Sequence, residues 1–274
     1  MLTKSIMAAL CPVYYLGIGK ICIYSLTKKT KMKNNTHECR TFRKTTARIL
    51  CTLFLLSAFA IQATAQKALV LAALSKYGVD QSFLDPANLR LPVDHSFELK
   101  ESATTAGKAK VTLAKFNPSA KDGEQWNVIS VDGKSPSLFE ANTFRNTRAK
   151  PPVDKPDEKT YRIDSQTAEQ IIISYKLDAT IIPMDARFLK DCRAVLTVDL
   201  KDKQLKQLQL VNEKPVKIGP LTAKKFEITT KFVYDKQARR YFPINDNLNM
   251  EAAFLAKTLT TVVETVYSNY AGKR

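Results

Sequence analysis

The chain has 274 residues and a formal net charge of +17, with 43 Lys and Arg residues against 26 Asp and Glu residues. Residues 1–65 hold 10 basic residues and one acidic residue, a net charge of +9, whereas residues 66–274 hold 33 basic and 25 acidic residues, a net charge of +8. Charges mixed along most of the chain argue against a nucleic-acid-binding protein. Cys192 is the only cysteine after residue 65, which excludes an intrachain disulfide and a cysteine-rich metal site there.

An apolar run from Ile49 to Ile61 is typical of a secretory leader. It is too short for a bilayer-spanning helix, which needs about 20 residues, and small residues follow it at Ala63 and Ala65. Basic residues precede it: Arg40, Arg43, Lys44 and Arg48. The pattern predicts a leader over residues 1–65 with cleavage after Ala65, and therefore a periplasmic protein. Because the run lies far from the first residue, we expect translation to begin at Met32. A buried core helix is the alternative for this run.

Residues 66–274 are predicted to form one β-rich domain. The spacing of apolar residues predicts a helix from Gln66 to Tyr77 and a second from Ser137 to Arg148. Two-residue alternation predicts strands from Leu91 onward, with a turn at Asp132–Lys134. The Pro-rich, charged stretch over residues 150–159 is typical of a loop.

The second half alternates most clearly, and Phe226 to Tyr234 is the cleanest amphipathic strand. Short polar turns between such strands predict an antiparallel meander. The last segment, Ala252–Tyr270, is rich in β-branched residues and predicts a strand that is apolar on both faces, although its length also allows a helix. Such a strand needs cover on both sides. We therefore expect an α+β fold, with a strongly curved antiparallel sheet (a half-barrel) and a few short helices packed on its concave side.

Catalytic motifs are weak in this sequence. His95 is the only histidine after residue 65, so a multi-histidine metal site is excluded there. Cys192 with His95 as base is a possible nucleophilic pair, but a small buried side chain is the stronger interpretation of Cys192. The paired carboxylates Asp154 with Asp157 and Asp199 with Asp202 lie at predicted turns. We expect no enzyme activity, no cofactor and no metal.

Aromatic and aliphatic side chains on the strands predict the lining of an apolar pocket. Arg240, next to Arg239, is positioned to meet an anionic head group at its mouth. Ordinary core packing is the alternative for the apolar members of the set. The predicted lining residues are Phe226, Ile228, Phe232, Tyr234, Phe254 and Arg240.

Several short phrases resemble secreted bacterial proteins of the periplasmic lipoprotein-carrier (LolA/LolB-like) superfamily. They are Trp126-x-x-x-x-Val131-Asp132-Gly133-Lys134-x-Pro136, Leu196-Thr197-Val198-Asp199, Tyr241-Phe242-Pro243 and Tyr267-Ser268-Asn269-Tyr270. The resemblance extends over most of residues 91–270 and rests on the order and spacing of strands. It implies a binding shell for an apolar group, and no position here matches a ligand-binding arginine of the true carriers.

These observations favour an exported, non-enzymatic protein that binds a lipid or acyl chain in the concave face of a bent sheet. The first alternative is a cell-envelope assembly module without a cavity, which recruits a protein partner through an exposed strand. A hydrolase built from dispersed side chains is a further alternative. We expect no nucleic-acid partner, and a mature form that does not span the membrane.

Overall fold

The structure is a computed structural model that describes residues 66–149, 152–254 and 257–272. The leader, its cleavage site and the start at Met32 lie outside these ranges. Helix α1 spans residues 66–76, as the apolar spacing predicts. Four short 3-10 helices follow at Ser82–Leu84, Pro86–Leu89, Glu158–Thr160 and Met184–Asp191. Helix α2 spans Leu138–Arg148.

Eleven strands of the described residues form one sheet. In chain order they are β1 (His95–Thr105), β2 (Lys108–Phe116), β3 (Trp126–Val131), β4 (Arg162–Gln166), β5 (Gln170–Tyr175), β6 (Cys192–Asp199), β7 (Gln204–Asn212), β8 (Val216–Ile218), β9 (Leu221–Asp235), β10 (Arg240–Phe254) and β11 (Lys257–Gly272). The spatial order is β3-β2-β1-β11-β10-β9-β7-β6-β5-β4, and β8 pairs with β9. Every pairing is antiparallel. The predicted α+β class and antiparallel sheet are confirmed.

One face of the sheet carries the main core, and we call it the covered face. Strand β9 shows why, because alternate residues from Phe226 to Phe232 are buried while Lys225 and Lys231 point to solvent. Helix α1 packs Val70 and Leu74 into the same core, and both are fully buried. The predicted alternation of this strand is confirmed.

Helix α2 covers the same face at the other end of the sheet, over β1, β2 and β3. Ser137 caps it, accepting a hydrogen bond from the Glu140 amide, while Glu140 accepts from the amide of Ser137. Phe144 packs on Trp126 with ring centroids 5.5 Å apart. Arg148 Nη2 donates to Glu101 Oε2 at 2.5 Å, which ties the last turn of the helix to β1.

The last predicted strand requires two corrections. Ala252–Tyr270 is not one strand: residues 252–254 end β10, and residues 257–270 lie in β11. Strand β10 runs from Arg240 through an Asn-rich stretch to Phe254, and so takes in the start of this segment. Nor is β11 covered on both faces, because Val262 and Val266 are 36% and 42% exposed. On its covered face, the side chains of Thr261 and Thr265 are buried.

Candidate functional site: an apolar cleft under a two-part cover

An apolar cleft of about 110 Å³ lies on the covered face. Its floor is built by neighbouring strands, which bring together side chains far apart in sequence. They are Tyr175 on β5, Ala194 on β6, Leu208 and Leu210 on β7, and Ile228 and Phe232 on β9. The side chains that alternation places on the buried side of each strand therefore also form the floor of the cleft.

Two short segments close the cleft from above, residues 86–91 and 152–154, and we call them the cover. Leu89 and Val153 point into the protein and are 9% and 5% exposed. Pro86 and Pro152 also line the cleft. Proline lacks a backbone donor, so these positions cannot donate to the sheet. The first segment is instead folded locally, with Asp85 accepting a hydrogen bond from the Ala87 amide.

A two-point ion pair joins the two parts of the cover. Arg90 Nε lies 2.7 Å from Asp154 Oδ2, and Arg90 Nη2 lies 3.0 Å from Asp154 Oδ1. Both side chains remain partly exposed, at 45% and 26%. An exposed pair of this kind contributes about 0–1 kcal/mol, so it orders the cover without locking it.

Arg240 holds the cover from the other side. Its Nη2 donates to the Arg90 carbonyl at 3.1 Å, and its Nη1 lies 3.2 Å from Asp94 Oδ1. Asp94 also bonds His95, and this hydrogen bond is the main reason that the pKa of Asp94 lies below its usual value. The guanidinium predicted to meet an anionic head group is thus paired with a carboxylate of the chain itself.

A row of polar side chains crosses the covered face from α2 to the cleft. Strand register places Thr112 beside Glu101, Glu101 beside Thr265, Thr265 beside Asp246, and Asp246 beside Thr230. Apolar side chains such as Leu99 and Val263 flank this row, and a second buried polar pair, Thr105 with Thr261, lies farther along the same face. Its end at Thr230 and Asp246 forms part of the cleft wall.

Asp246 is held in a defined orientation. Thr230 Oγ1 donates to its Oδ1 at 2.6 Å, and the Tyr267 hydroxyl donates to its Oδ2 at 2.6 Å. Hydroxyl donors at this distance stabilise the ionised form of a carboxyl group. The cleft therefore combines an apolar floor with one fixed carboxylate on its wall.

A larger hollow of about 650 Å³ lies beside the cover, around Asp94, His95, Asp235 and Arg239. It is open to solvent, and most of its lining side chains are polar. An open polar hollow provides little desolvation for an apolar ligand. We therefore take the smaller, apolar cleft as the candidate site, despite its size.

The predicted lining residues separate into four groups. Ile228 and Phe232 line the cleft. Phe226 lies further along β9, fully buried against Phe188 with ring centroids 5.2 Å apart. Tyr234 and Phe254 are partly buried at the edge of the main core, and Arg240 lines the polar hollow. Spacing along a strand predicts a shared face, but not which part of that face the covering segments fill.

Sequence reasoning missed Asp246, Thr230 and the cover. Asp246 lies in the Asn-rich part of β10, where polar residues on both faces hide the alternation. The signal was indirect: extending β10 in register with β9 places Asp246 opposite Thr230. The cover lies in loop and 3-10 structure, for which periodicity gives no prediction.

The possible pair of Cys192 and His95 does not meet. They lie on strands five positions apart in the sheet, which is about 24 Å measured along it at the usual strand spacing. Cys192 is fully buried, and burial beside Asp191 and Glu213 raises the pKa of its thiol to about 12. Within the described ranges, no group of His, Cys, Asp and Glu residues is arranged to hold a metal ion. No helix in those ranges has the length and apolar character needed to cross a membrane.

Comparisons with known proteins give little beyond this geometry. No family model and no curated protein matches the chain. Among solved structures, it is similar to a DUF1329 family protein from Desulfovibrio piger, at 10% identity and a TM-score of 0.30, over 76% of this chain and 92% of the other. It is also similar to an isomerase-inactive variant of GphF DH1, at 11% identity and a TM-score of 0.17, over 68% of this chain and 78% of the other. Scores this low assign the chain to neither family.

Proposed function

We propose that the protein is an exported, non-enzymatic, carrier-like protein that holds an apolar chain, such as the acyl chain of a lipid, between the sheet and its cover. The observation that carries the proposal is the cleft itself, with a floor of side chains such as Leu208, Leu210 and Ile228. Each 100 Å² of apolar ligand surface removed from water contributes about 2.5 kcal/mol. A strongly curved sheet, with its concave side toward the ligand, is part of the proposal.

Ligand entry requires the cover to move. A volume of about 110 Å³ is well below the roughly 300–1,000 Å³ of ordinary ligand pockets. The Arg90–Asp154 pair is weak enough to break, and parting it separates residues 86–91 from residues 152–154. A bound chain would then replace the contacts that Leu89 and Val153 make with the floor.

Filling the cleft tests this function. Ala194 is buried on its floor, so Ala194→Leu places a larger side chain where the ligand would lie. Ala109→Leu makes the same change at an exposed position of β2 and is the matched control. The purified proteins are incubated with membrane lipid extract, re-isolated, and analysed for bound lipid by mass spectrometry. We expect lipid on the unchanged protein and on the control, and little on Ala194→Leu.

Two results would count against the function. One is lipid no more abundant than on an unrelated protein of similar charge, and the other is equal lipid on both variants. Because overpacking costs about 1–3 kcal/mol, denaturant unfolding first establishes that Ala194→Leu is folded.

A second function, recruitment of an envelope protein partner, is favoured by the uncovered face of β11. Val262 and Val266 are exposed there. Their cross-strand neighbours are polar or charged, with Lys100 and Asn245 on either side of Val266. Two isolated valines form a much smaller patch than interaction sites usually show. If this face binds a partner, Val262→Thr with Val266→Thr will abolish the interaction while lipid binding remains.

A further inference from the structure

We propose that His95 makes the cover sensitive to pH: with a neutral ring the cover stays held by Arg240, and protonation of the ring weakens that hold and favours opening of the cleft. This inference rests on the proposed function and adds its regulation, because an open cover is what entry and release of a ligand require. It also gives a role to the polar hollow beside the cover, which both side chains line.

Arg240 depends on a single carboxylate. Its Nη1 lies 3.2 Å from Asp94 Oδ1, and its Nη2 donates to the Arg90 carbonyl of the cover at 3.1 Å. Its Nε is buried and has no hydrogen-bond partner among the described residues. Among those residues, Asp94 is the only carboxylate that pairs with it, and the Arg240 side chain is 22% exposed. A charge so far removed from water is costly without a partner, so weakening this pair loosens the whole guanidinium.

His95 shares the oxygen on which Arg240 depends. Its Nδ1 lies 2.9 Å from Asp94 Oδ1, the atom that Arg240 Nη1 contacts. The two nitrogens are therefore no more than about 6 Å apart, and their charges interact directly once the ring is protonated. Because an ionised carboxylate only accepts hydrogen bonds, Nδ1 of the neutral ring carries the hydrogen and Nε2 takes up the proton.

The added charge acts in one direction. A positively charged ring attracts Asp94 more strongly than a neutral ring does, and it repels the guanidinium on the other side of the shared oxygen. Both effects weaken the pair between Asp94 and Arg240. Because Arg240 lines the open hollow, a released guanidinium turns toward water and leaves the Arg90 carbonyl. Asp94 is 61% exposed, so solvent keeps the expected change moderate.

The other charged groups around His95 are of types that keep their charge between pH 5 and 8. Two of them line the same hollow, and two follow Gly272, which adjoins the ring, in the sequence. Carboxyl, amino and guanidinium side chains ordinarily titrate outside this range. Burial raises the pKa of Tyr270, which also lines the hollow, further above it. The four charged residues are Asp235, Arg239, Lys273 and Arg274.

The composition of the chain makes this inference testable. Histidine is the side chain whose charge ordinarily changes between pH 5 and 8, and His95 is the only histidine among residues 66–274. The thiol of Cys192 is removed from this range, because burial raises its pKa to about 12. A reversible change of the cover between these pH values therefore points to His95 or to the α-amino group of the chain, and a variant of His95 separates the two.

Hydrogen–deuterium exchange of the purified full chain measures opening of the cover without a ligand. The amide protection of residues 86–91, corrected for the intrinsic pH dependence of exchange, is compared at pH 7.5 and pH 5.5. We expect protection at least about fivefold lower at pH 5.5. His95→Gln stays neutral and keeps a donor for Asp94, so its protection should be the same at both pH values. Residues 184–191 are the internal control and should show no difference in either protein.

Asp94→Asn provides a second test that does not depend on the folding of His95→Gln. It removes the partner of Arg240, so residues 86–91 should be weakly protected at both pH values. High protection in this variant at both pH values would overturn the inference.

Three results on the other proteins would also overturn the role of His95. They are equal or higher protection of residues 86–91 at pH 5.5, an equal fall in His95→Gln, and an equal fall in residues 184–191, which would indicate a general loss of stability. The lipid measurement on Ala194→Leu tests the proposed function separately. A pH-sensitive cover on a protein that binds no lipid would remove that function and leave the response of the cover standing.

Discussion

The plug (residues 184–191) and the cover lie over the same face of the sheet, but one region is tightly packed and the other contains a cleft. The plug seals the face beneath it: Ala186 and Leu189 are fully buried and Phe188 packs edge-on against Phe226. The cover at residues 86–91 and 152–154 leaves the apolar cleft beneath it. The sheet contributes the same kind of side chain to both regions. The difference therefore comes from the segments above, and it shows that the cavity is determined by what lies over the strands.

The largest expected difference between the plug and the cleft is in the reactivity of a thiol, and the native Cys192 reports on the plug. Cys192 begins β6 next to the plug, with its Sγ 3.6 Å from the Phe188 carbonyl oxygen. Burial raises its pKa from 9.0 to about 12, so about a thousandfold less thiolate is present at pH 8. We expect iodoacetamide to spare Cys192 in the native protein and to label it in denaturant.

A thiol introduced in the cleft by Leu210→Cys provides the comparison. It should react at least about a hundredfold faster than Cys192 in the same molecule, because the cover opens and the plug does not. Mass spectrometry of the labelled peptides separates the two sites. Equal protection of both thiols would mean that the two regions are equally closed.

Two leucines measure the packing difference as stability. Leu189 is fully buried in the plug, and Leu189→Ala should lower the free energy of unfolding by about 2–5 kcal/mol. Leu208 borders the cleft and is only partly buried, so Leu208→Ala should cost at most about half as much. Urea unfolding curves give both values. Equal losses would indicate that the cleft is as tightly packed as the plug.

Helix α2 also packs on the covered face, and its contribution to stability can be tested through its N-terminal cap. Ser137→Ala removes the capping hydroxyl and should cost about 1 kcal/mol. Hydrogen bonds from Ser137, together with Lys110, lower the pKa of Glu140 from 4.5 to about 2. Because folding lowers the pKa of Glu140, the stabilisation that its ionised carboxylate gives to the folded protein is present above pH 4.5. It disappears as the pH falls through about 2. The cost of Ser137→Ala should therefore be larger at pH 5 than at pH 2, and a constant cost would contradict the capping box.

The smallest expected effect on stability belongs to the ion pair that closes the cover. Asp154→Asn should change the free energy of unfolding by at most about 1 kcal/mol, since both partners are partly exposed. It should nevertheless accelerate ligand exchange, which stopped-flow displacement of a fluorescent fatty alcohol would measure. Asp164→Asn, which removes an exposed ion pair on β4 whose two residues do not line the cleft, is the control. Unchanged exchange rates would show that this pair does not limit opening.

Much of the sheet follows from the sequence, because residues such as Ile228 and Phe232 alternate with Lys225 and Lys231 and this pattern allows one orientation of β9. The extent of β10 does not follow, since its Asn-rich stretch has no apolar period and is held by pairing with β9 and β11. For the candidate site, the sequence predicted which face of the sheet would carry it, but not where on that face it would lie. Asp246, Arg90 and Asp154 line one cleft from positions far apart in the sequence, and periodicity does not encode such a meeting.

The most direct measurement is a crystal structure of the protein with 1-bromodecane, in which anomalous scattering locates the bromine. The account predicts that the chain lies between Val153 and the floor at Leu208 and Ile228, with residues 86–91 displaced outward and the plug unmoved. A bromodecane bound only on the exposed valines of β11, with the cleft unchanged, would contradict it.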